Sequence, residues 1–454
     1  MPFASVNPAT GKQLEEFSAD SREQVEEKIR RAGEEFRHWR ERPIGERAGL
    51  MQAAAEELRA RSDTYARAMT LEMGKPITQS RSEVEKCAWV CAYYAEQAES
   101  MLAAEILASD ASESYVRFDP IGPVLAVMPW NFPFWQVFRF AAPALMAGNT
   151  ALLKHASNVP RCALLIEEVF RNAGFPEGCF QTLMIPSSAV GEVIAHPAVR
   201  AATLTGSEHA GSQVAAAAGK DIMKTVLELG GSDPFIVLDD ADVEEAARTG
   251  ATARMINTGQ SCIAAKRFIL TASVAERFTT VFCEKLADMV VGDPLDDATE
   301  VGAMAREDLL RELDAQVRET VAAGGRLLMG GSRREGPGVF YPPTVVTDVR
   351  PGMPMYEQET FGPAAAIIIV QDEEEAIAVA NDSTFGLGAS LWTQDRARAA
   401  RLAARIEAGA VFVNGLVKSD PRLPFGGVKR SGYGRELSHY GIREFVNIKT
   451  VWIA

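Results

Sequence analysis

Two short stretches hold residue types able to make and break bonds at a carbonyl carbon: Asn257-Thr258-Gly259-Gln260-Ser261-Cys262-Ile263-Ala264-Ala265 and Leu227-Glu228-Leu229-Gly230-Gly231. Cys262 stands among small and polar residues, after a glycine that lets the backbone turn, and outside the long apolar runs that bury inert thiols. Such a cysteine is a candidate nucleophile. At its ordinary pKa a thiol is only about a few per cent thiolate at neutral pH, so it needs a base or a field. No histidine lies near it in sequence, and Glu228 is the nearest well-placed carboxylate.

Five segments in order, Pro129-Trp130-Asn131-Phe132-Pro133, Val226-Leu227-Glu228-Leu229-Gly230-Gly231, Gly259-Gln260-Ser261-Cys262, Glu359-Thr360-Phe361-Gly362-Pro363 and Pro424-Phe425-Gly426-Gly427, resemble the motif series of the NAD(P)-dependent aldehyde dehydrogenase superfamily. The resemblance runs from Asn7-Pro8-Ala9-Thr10-Gly11 to the C-terminus, and five ordered motifs are far more specific than any one. The stretches Trp135-Gln136-Val137-Phe138-Arg139-Phe140 and Lys418-Ser419-Asp420-Pro421-Arg422 are most similar to the bacterial succinate-semialdehyde dehydrogenase branch.

The resemblance implies a division of labour. Cys262 attacks an aldehyde carbonyl. The Asn131 side-chain amide and the Cys262 backbone N–H receive the oxyanion, a contribution of ~3 kcal/mol by analogy with other oxyanion donors. Glu228, its pKa raised in a partly apolar site, activates the water that hydrolyses the thioester. Taken alone, Cys262 reads as a small buried residue, Asn131 as a turn or cap residue and Glu228 as a salt-bridged strand end; the motif series reverses those readings.

For the cofactor, Lys154 follows a strand and is placed to reach the adenosine ribose. Many NAD-preferring relatives carry a Glu three residues after this Lys, where this chain has Ser157. A carboxylate there would repel a 2′-phosphate, whereas Ser157 beside Lys154 accepts one, so NADP is the expected cofactor, with NAD possible. No Gly-x-Gly-x-x-Gly follows a strand; Thr205-Gly206-Ser207, ahead of a helix N-terminus, matches the family's variant pyrophosphate site. Glu359 is implied to hold the nicotinamide ribose with Phe361 packed nearby, and Trp130 and Leu229 are assigned to the same cofactor site.

For the substrate, residues 133–147 read as a helix apolar nearly all round, started by Asn131 and stopped by Gly148. Arg139 is its one charge. A buried guanidinium needs an anion, either an Asp or Glu of the fold or a substrate carboxylate. Trp135, one turn earlier, shares its face, and Ser419 adds either a hydroxyl to the same anion or a turn. With the branch resemblance these favour a short aldehyde acid, succinate semialdehyde. Glutarate semialdehyde, an uncharged aldehyde, or a nicotinamide-independent cysteine hydrolase remain alternatives.

The elements that must position these residues follow an α/β pattern. The apolar runs 124–128, 150–154, 201–205 and 235–238 alternate with helical stretches, which indicates parallel sheets. The resemblance implies an aldehyde dehydrogenase-like fold: a Rossmann-like cofactor domain (1–110 and 123–229), an α/β catalytic domain (230–430) and a small oligomerisation sheet (111–122 and 431–454). The alternating runs at 114–120 and 445–452 would form that sheet, the second joining a partner's, in a homodimer or homotetramer. The segment 21–105 reads as helices with a solvated charged face, opened by a cap at Ser21, restarted near Gly45 and stopped at Gly74.

The 454 residues carry a formal charge of −14, which argues against a broad nucleic-acid or anionic-membrane surface. Six scattered cysteines without Cys-x-x-Cys spacing predict neither a disulfide scaffold nor a metal site, and Cys87 and Cys91 read as core. Neither a leader nor an apolar run long enough to span a bilayer is visible, so the cytoplasm is the expected compartment.

Overall fold

The computed structural model describes residues 3–454. Met1 and Pro2, where the stretch read as lacking a leader begins, lie outside them.

Strands Pro123–Met128, Thr150–His155, Phe180–Thr182, Ala201–Thr205 and the second half of Lys224–Glu228 are buried at consecutive rather than alternate positions, as expected where helices cover both faces of a parallel sheet. Across the sheet they stand fifth, fourth, first, second, third, all parallel. Strand order therefore reverses between Pro123–Met128 and Ala201–Thr205, and a crevice opens beyond the carboxyl ends of those two strands. The residues that follow them are Pro129-Trp130-Asn131 and Gly206-Ser207, so the fold itself delivers both motifs to one crevice. A two-residue strand from the C-terminal region, Gly432–Tyr433, closes the edge antiparallel to Glu228 and Leu227.

The second sheet has seven strands in the order Arg326–Met329, Thr344–Thr347, Ala364–Val370, Ala265–Thr271, Asp233–Val237, Gly388–Trp392, Ala410–Val413, antiparallel only at its first pair. Asp242 caps the helix Val243–Met255 as its position predicts, accepting the Glu245 amide at 3.1 Å.

In the third sheet the C-terminal strand Val446–Ile453 pairs along its whole length with Glu113–Pro120 of the same chain. The two alternating runs thus share one sheet within the chain, with Val446–Ile453 at its edge. Its outer edge stays open, and Ile448, Trp452 and Ile453 are exposed there.

Of the helical segment, Ser21 and Gln24 form a reciprocal capping box on Arg22–Trp39, the next helix starts at Ile44, and Gly74 ends Ser62–Met73 with φ 81°. The helix Ile77–Met101 lies against Trp135–Met146, every residue of which is buried. Asn131 is not its cap. Glu83 reaches across from Ile77–Met101 and its Oε1 accepts the amides of Phe134 (3.0 Å) and Trp135 (2.9 Å). Glu83 also pairs with Lys75, both fully enclosed, and the Lys75 ammonium lies 3.9 Å from the Phe132 ring centroid. A carboxylate at a helix N-terminus faces the positive end of the helix dipole, so one buried acid fixes the start of Trp135–Met146.

Candidate active site

The loop before Cys262 is built on unusual backbone. Asn257, Thr258 and Gly259 have consecutive left-handed φ values of 55°, 56° and 72°, a conformation costing on the order of 1–3 kcal/mol at each non-glycine position. Surrounding polar contacts hold it there. The Asn257 amide donates to the carbonyls of Asn131 (2.7 Å) and Gln260 (3.0 Å), and Thr258 Oγ1 accepts the Gly302 amide at 3.0 Å. The buried Arg254 guanidinium donates to the carbonyls of Gly259 and Thr360 at 3.0 Å each and to that of Gly362. It stitches the cysteine loop to the Glu359-Thr360-Phe361 segment. A Cβ on Gly259 would stand 2.3 Å from the Gly362 carbonyl oxygen, so only glycine allows the two loops to approach.

Lys266 completes the scaffold. Its enclosed ammonium donates to the carbonyls of Ser261 (2.9 Å) and Cys262 (2.7 Å) and pairs with Glu359 at 3.1 Å. The sequence carried a signal for it, adjacent cations Lys266-Arg267 opening an otherwise apolar strand, since buried cations require acceptors.

Cys262 is the residue shared by the linings of two cavities, one of about 120 Å³ and one of about 780 Å³. Burial pushes its thiol up to about 12 against the opposing charges of Lys266 and Arg139. The thiol is thus the resting form, and attack requires a proton acceptor. Asn131 lines the larger cleft, and its Nδ2 donates to the Gln260 carbonyl at 3.1 Å. One N–H of that amide remains for an oxyanion.

Glu228 stands apart from both linings. It ends the strand Lys224–Glu228, deep in the wall against Gly426, and neither carboxyl oxygen has a hydrogen-bond partner. Burial raises its pKa to about 8, Glu436 adds to the rise, and Arg139 and Arg435 oppose it. In this conformation the structure does not bring Glu228 to Cys262.

The larger cleft gathers Trp130, Lys154, Ser157, Gly206, Ser207, Leu229, Glu359 and Phe361. Lys154 donates to Ser187 Oγ at 3.3 Å and takes part in no ion pair among the described residues; burial lowers its pKa. Ser207 caps the helix Glu208–Lys220 through the Ala210 amide at 3.3 Å. Glu359 accepts the Gly231 amide at 3.1 Å, and a Cβ on Gly230 would stand 2.4 Å from its other oxygen. Phe361 meets Trp130 edge to face at 5.8 Å between centroids. An unneutralised amine, a hydroxyl, a helix N-terminus, a carboxylate and an aromatic pair along one crevice fit a phosphorylated dinucleotide.

The smaller cavity gathers Arg139, Trp135 and Ser419 with Cys262. Arg139 has an internal partner: its guanidinium pairs with Glu436, donates to Thr205 Oγ1 at 3.3 Å and lies 4.5 Å from the Phe425 ring centroid. Of the two anions weighed for it, a glutamate of the fold occupies it here. The cavity also contains Lys86, which the sequence reading left on a solvated face. Its ammonium donates to Ser419 Oγ at 2.8 Å and lies 4.3 Å from the Trp135 ring centroid. Its signal was position, one turn after Glu83 on the same side of Ile77–Met101.

No group of three or more His, Cys, Asp or Glu able to hold a metal occurs among the described residues, and no helix among them is long and apolar enough to cross a membrane.

The family described as "Aldehyde dehydrogenase family" matches residues 1–451. A protein of Synechocystis sp. named "Probable succinate-semialdehyde dehydrogenase [NADP(+)]" is 55% identical over the whole of both chains. One of Mycobacterium tuberculosis named "Succinate-semialdehyde dehydrogenase [NADP(+)] 1" is 52% identical, again over the whole of both. The crystal structure of succinic semialdehyde dehydrogenase from Streptococcus pyogenes in complex with NADP+ superposes with TM-score 0.97 at 38% identity, covering 99% of each chain.

Proposed function

From the premise that the chain belongs to the aldehyde dehydrogenase family, we propose that it oxidises succinate semialdehyde to succinate with NADP as hydride acceptor. The observation that carries this reading is the placement of Cys262 at the junction of a dinucleotide-sized cleft and a small cavity walled by cationic side chains. The names of the relatives at 52–55% identity point to the same substrate and cofactor.

Lys154 and Ser157 take the 2′-phosphate, the helix behind Gly206 and Ser207 takes the pyrophosphate, and Glu359 takes a ribose, with Trp130, Leu229 and Phe361 as walls. Bound NADP supplies the hydride acceptor. The chain supplies the rest. The Cys262 sulfur, its proton passed to ionised Glu228, adds to the aldehyde carbon; the free Asn131 N–H and the Cys262 backbone N–H bind the oxyanion, and loss of hydride from that carbon leaves the thioester. Glu228, rotated out of its buried position and ionised, takes the proton of the water that releases the acid from the Cys262 thioester. Arg139 keeps N–H groups that Glu436 and Thr205 leave unused, and these join Trp135 and Ser419 in holding the far end of the substrate.

We assign residues 1–110 and 123–229 to cofactor binding, 230–430 to catalysis, and 111–122 with 431–454 to oligomerisation, except that Gly432–Tyr433 belongs to the cofactor sheet. The enzyme is a cytoplasmic homodimer or homotetramer, supported by the open edge of Val446–Ile453. The test is absorbance at the reduced-nicotinamide band with succinate semialdehyde against propanal and NADP against NAD. Turnover should be strongest for the acid aldehyde with NADP; equal rates on propanal would remove the substrate assignment and leave the chemistry.

A further inference from the structure

The small cavity holds two cations in different electrostatic states. The charge of Arg139 is balanced by Glu436 inside the wall. Lys86 has no carboxylate within ion-pair distance among the described residues. The acids nearest it are already engaged: Glu83 by Lys75 and by the amides of Phe134 and Trp135, and Asp420 by Arg422. An ammonium has three N–H donors. One is spent on Ser419 Oγ, and the Trp135 ring faces another side. What remains is an unbalanced, incompletely bonded positive charge on a cavity that Cys262 also lines.

We propose that Lys86 is a specificity-determining residue of the reaction: its ammonium, together with the Ser419 hydroxyl that it orients, receives the carboxylate of the aldehyde substrate. The inference rests on the reading of the substrate as a short acid aldehyde, and it deepens that reading. Ser419 can accept from Lys86 and donate to the anion at once, so a carboxylate meets a charge and a hydroxyl together. The surroundings make the charge responsive. Burial and the Arg139 guanidinium lower the Lys86 pKa to about 8, while Cys87, Glu83 and Asp420 oppose them. A substrate carboxylate favours the protonated form, so recognition weakens as pH rises through that value.

The test compares wild type with Lys86→Met and Lys86→Arg on succinate semialdehyde and propanal, and uses succinate as an inhibitor competing with propanal. Lys86→Met should lower the ratio of kcat/KM for the acid aldehyde over propanal about ten- to a hundredfold, the loss of one charged hydrogen bond. The loss should reside in KM, succinate inhibition should weaken in parallel, and Lys86→Arg should recover part of both. An unchanged ratio, or equal losses on both aldehydes, would overturn the role, with the melting temperature reporting whether the variant is folded. Should wild type prefer propanal yet lose succinate inhibition in Lys86→Met, the anion site stands and the succinate assignment falls. Absence of succinate inhibition in wild type would sink both.

Discussion

Arg139 and Glu436 form an ion pair behind the smaller of the two cavities that Cys262 lines, with 2% and 5% of their side chains exposed. The pair contributes through what would be left without it. Arg139→Met strands Glu436 in a dry site, and breaking one side of a buried pair costs on the order of 3–5 kcal/mol. Denaturant unfolding should show that loss, and Arg139→Met/Glu436→Gln should recover most of it. A single variant as stable as wild type would mean that Glu436 holds a proton in the native protein.

The carboxyl of Glu228 stays protonated at neutral pH because burial raises it to about 8 from the ordinary 4.5. The base role proposed for it therefore requires ionisation, and the pH profile of kcat should climb through about 8 and flatten in Glu228→Gln. Linkage gives the matching stability sign. The native protein keeps this proton where the unfolded chain has released it, so the contribution is full below the unfolded value and is lost as pH rises through the folded one. Unfolding titrations should show Glu228→Gln gaining on wild type between about pH 5 and about pH 9; a constant difference would place Glu228 in a wetter setting.

Ser157→Glu should exchange the cofactors. The new carboxylate would pair with Lys154 and repel a 2′-phosphate while accepting ribose hydroxyls, so kcat/KM for NADP should fall about ten- to a hundredfold relative to NAD. Initial rates with the two cofactors decide it, and an unchanged ratio would move discrimination elsewhere in the cleft.

Cys262→Ala should abolish turnover while calorimetry still registers NADP binding, because the eight cofactor-cleft residues are untouched. Residual oxidation of aldehyde at a normal rate would end the covalent mechanism.

Much of this was legible before any coordinates. The runs at 124–128, 150–154 and 201–205 are strands because only sheets covered on both faces use such short unbroken apolar segments. That Trp130, Lys154, Ser157, Gly206, Ser207 and Leu229 line one cleft was legible because each sits in a local motif in or just after a strand. What escaped came from across the fold. Glu83 and Lys86 lie in a charged helix whose pattern reads as solvated, yet that face meets the substrate helix. Glu436 is nearly three hundred residues from Arg139, and no local periodicity announces such a pair. The alternating runs at 114–120 and 445–452 announce strands of one small sheet, but which edge each pairs through depends on where the chain brings them in space.

The two cavities share one lining residue, Cys262. The side chains that shape one chamber are therefore not those that shape the other, so either wall can be recut by substitution while the contour of its neighbour is left as it was.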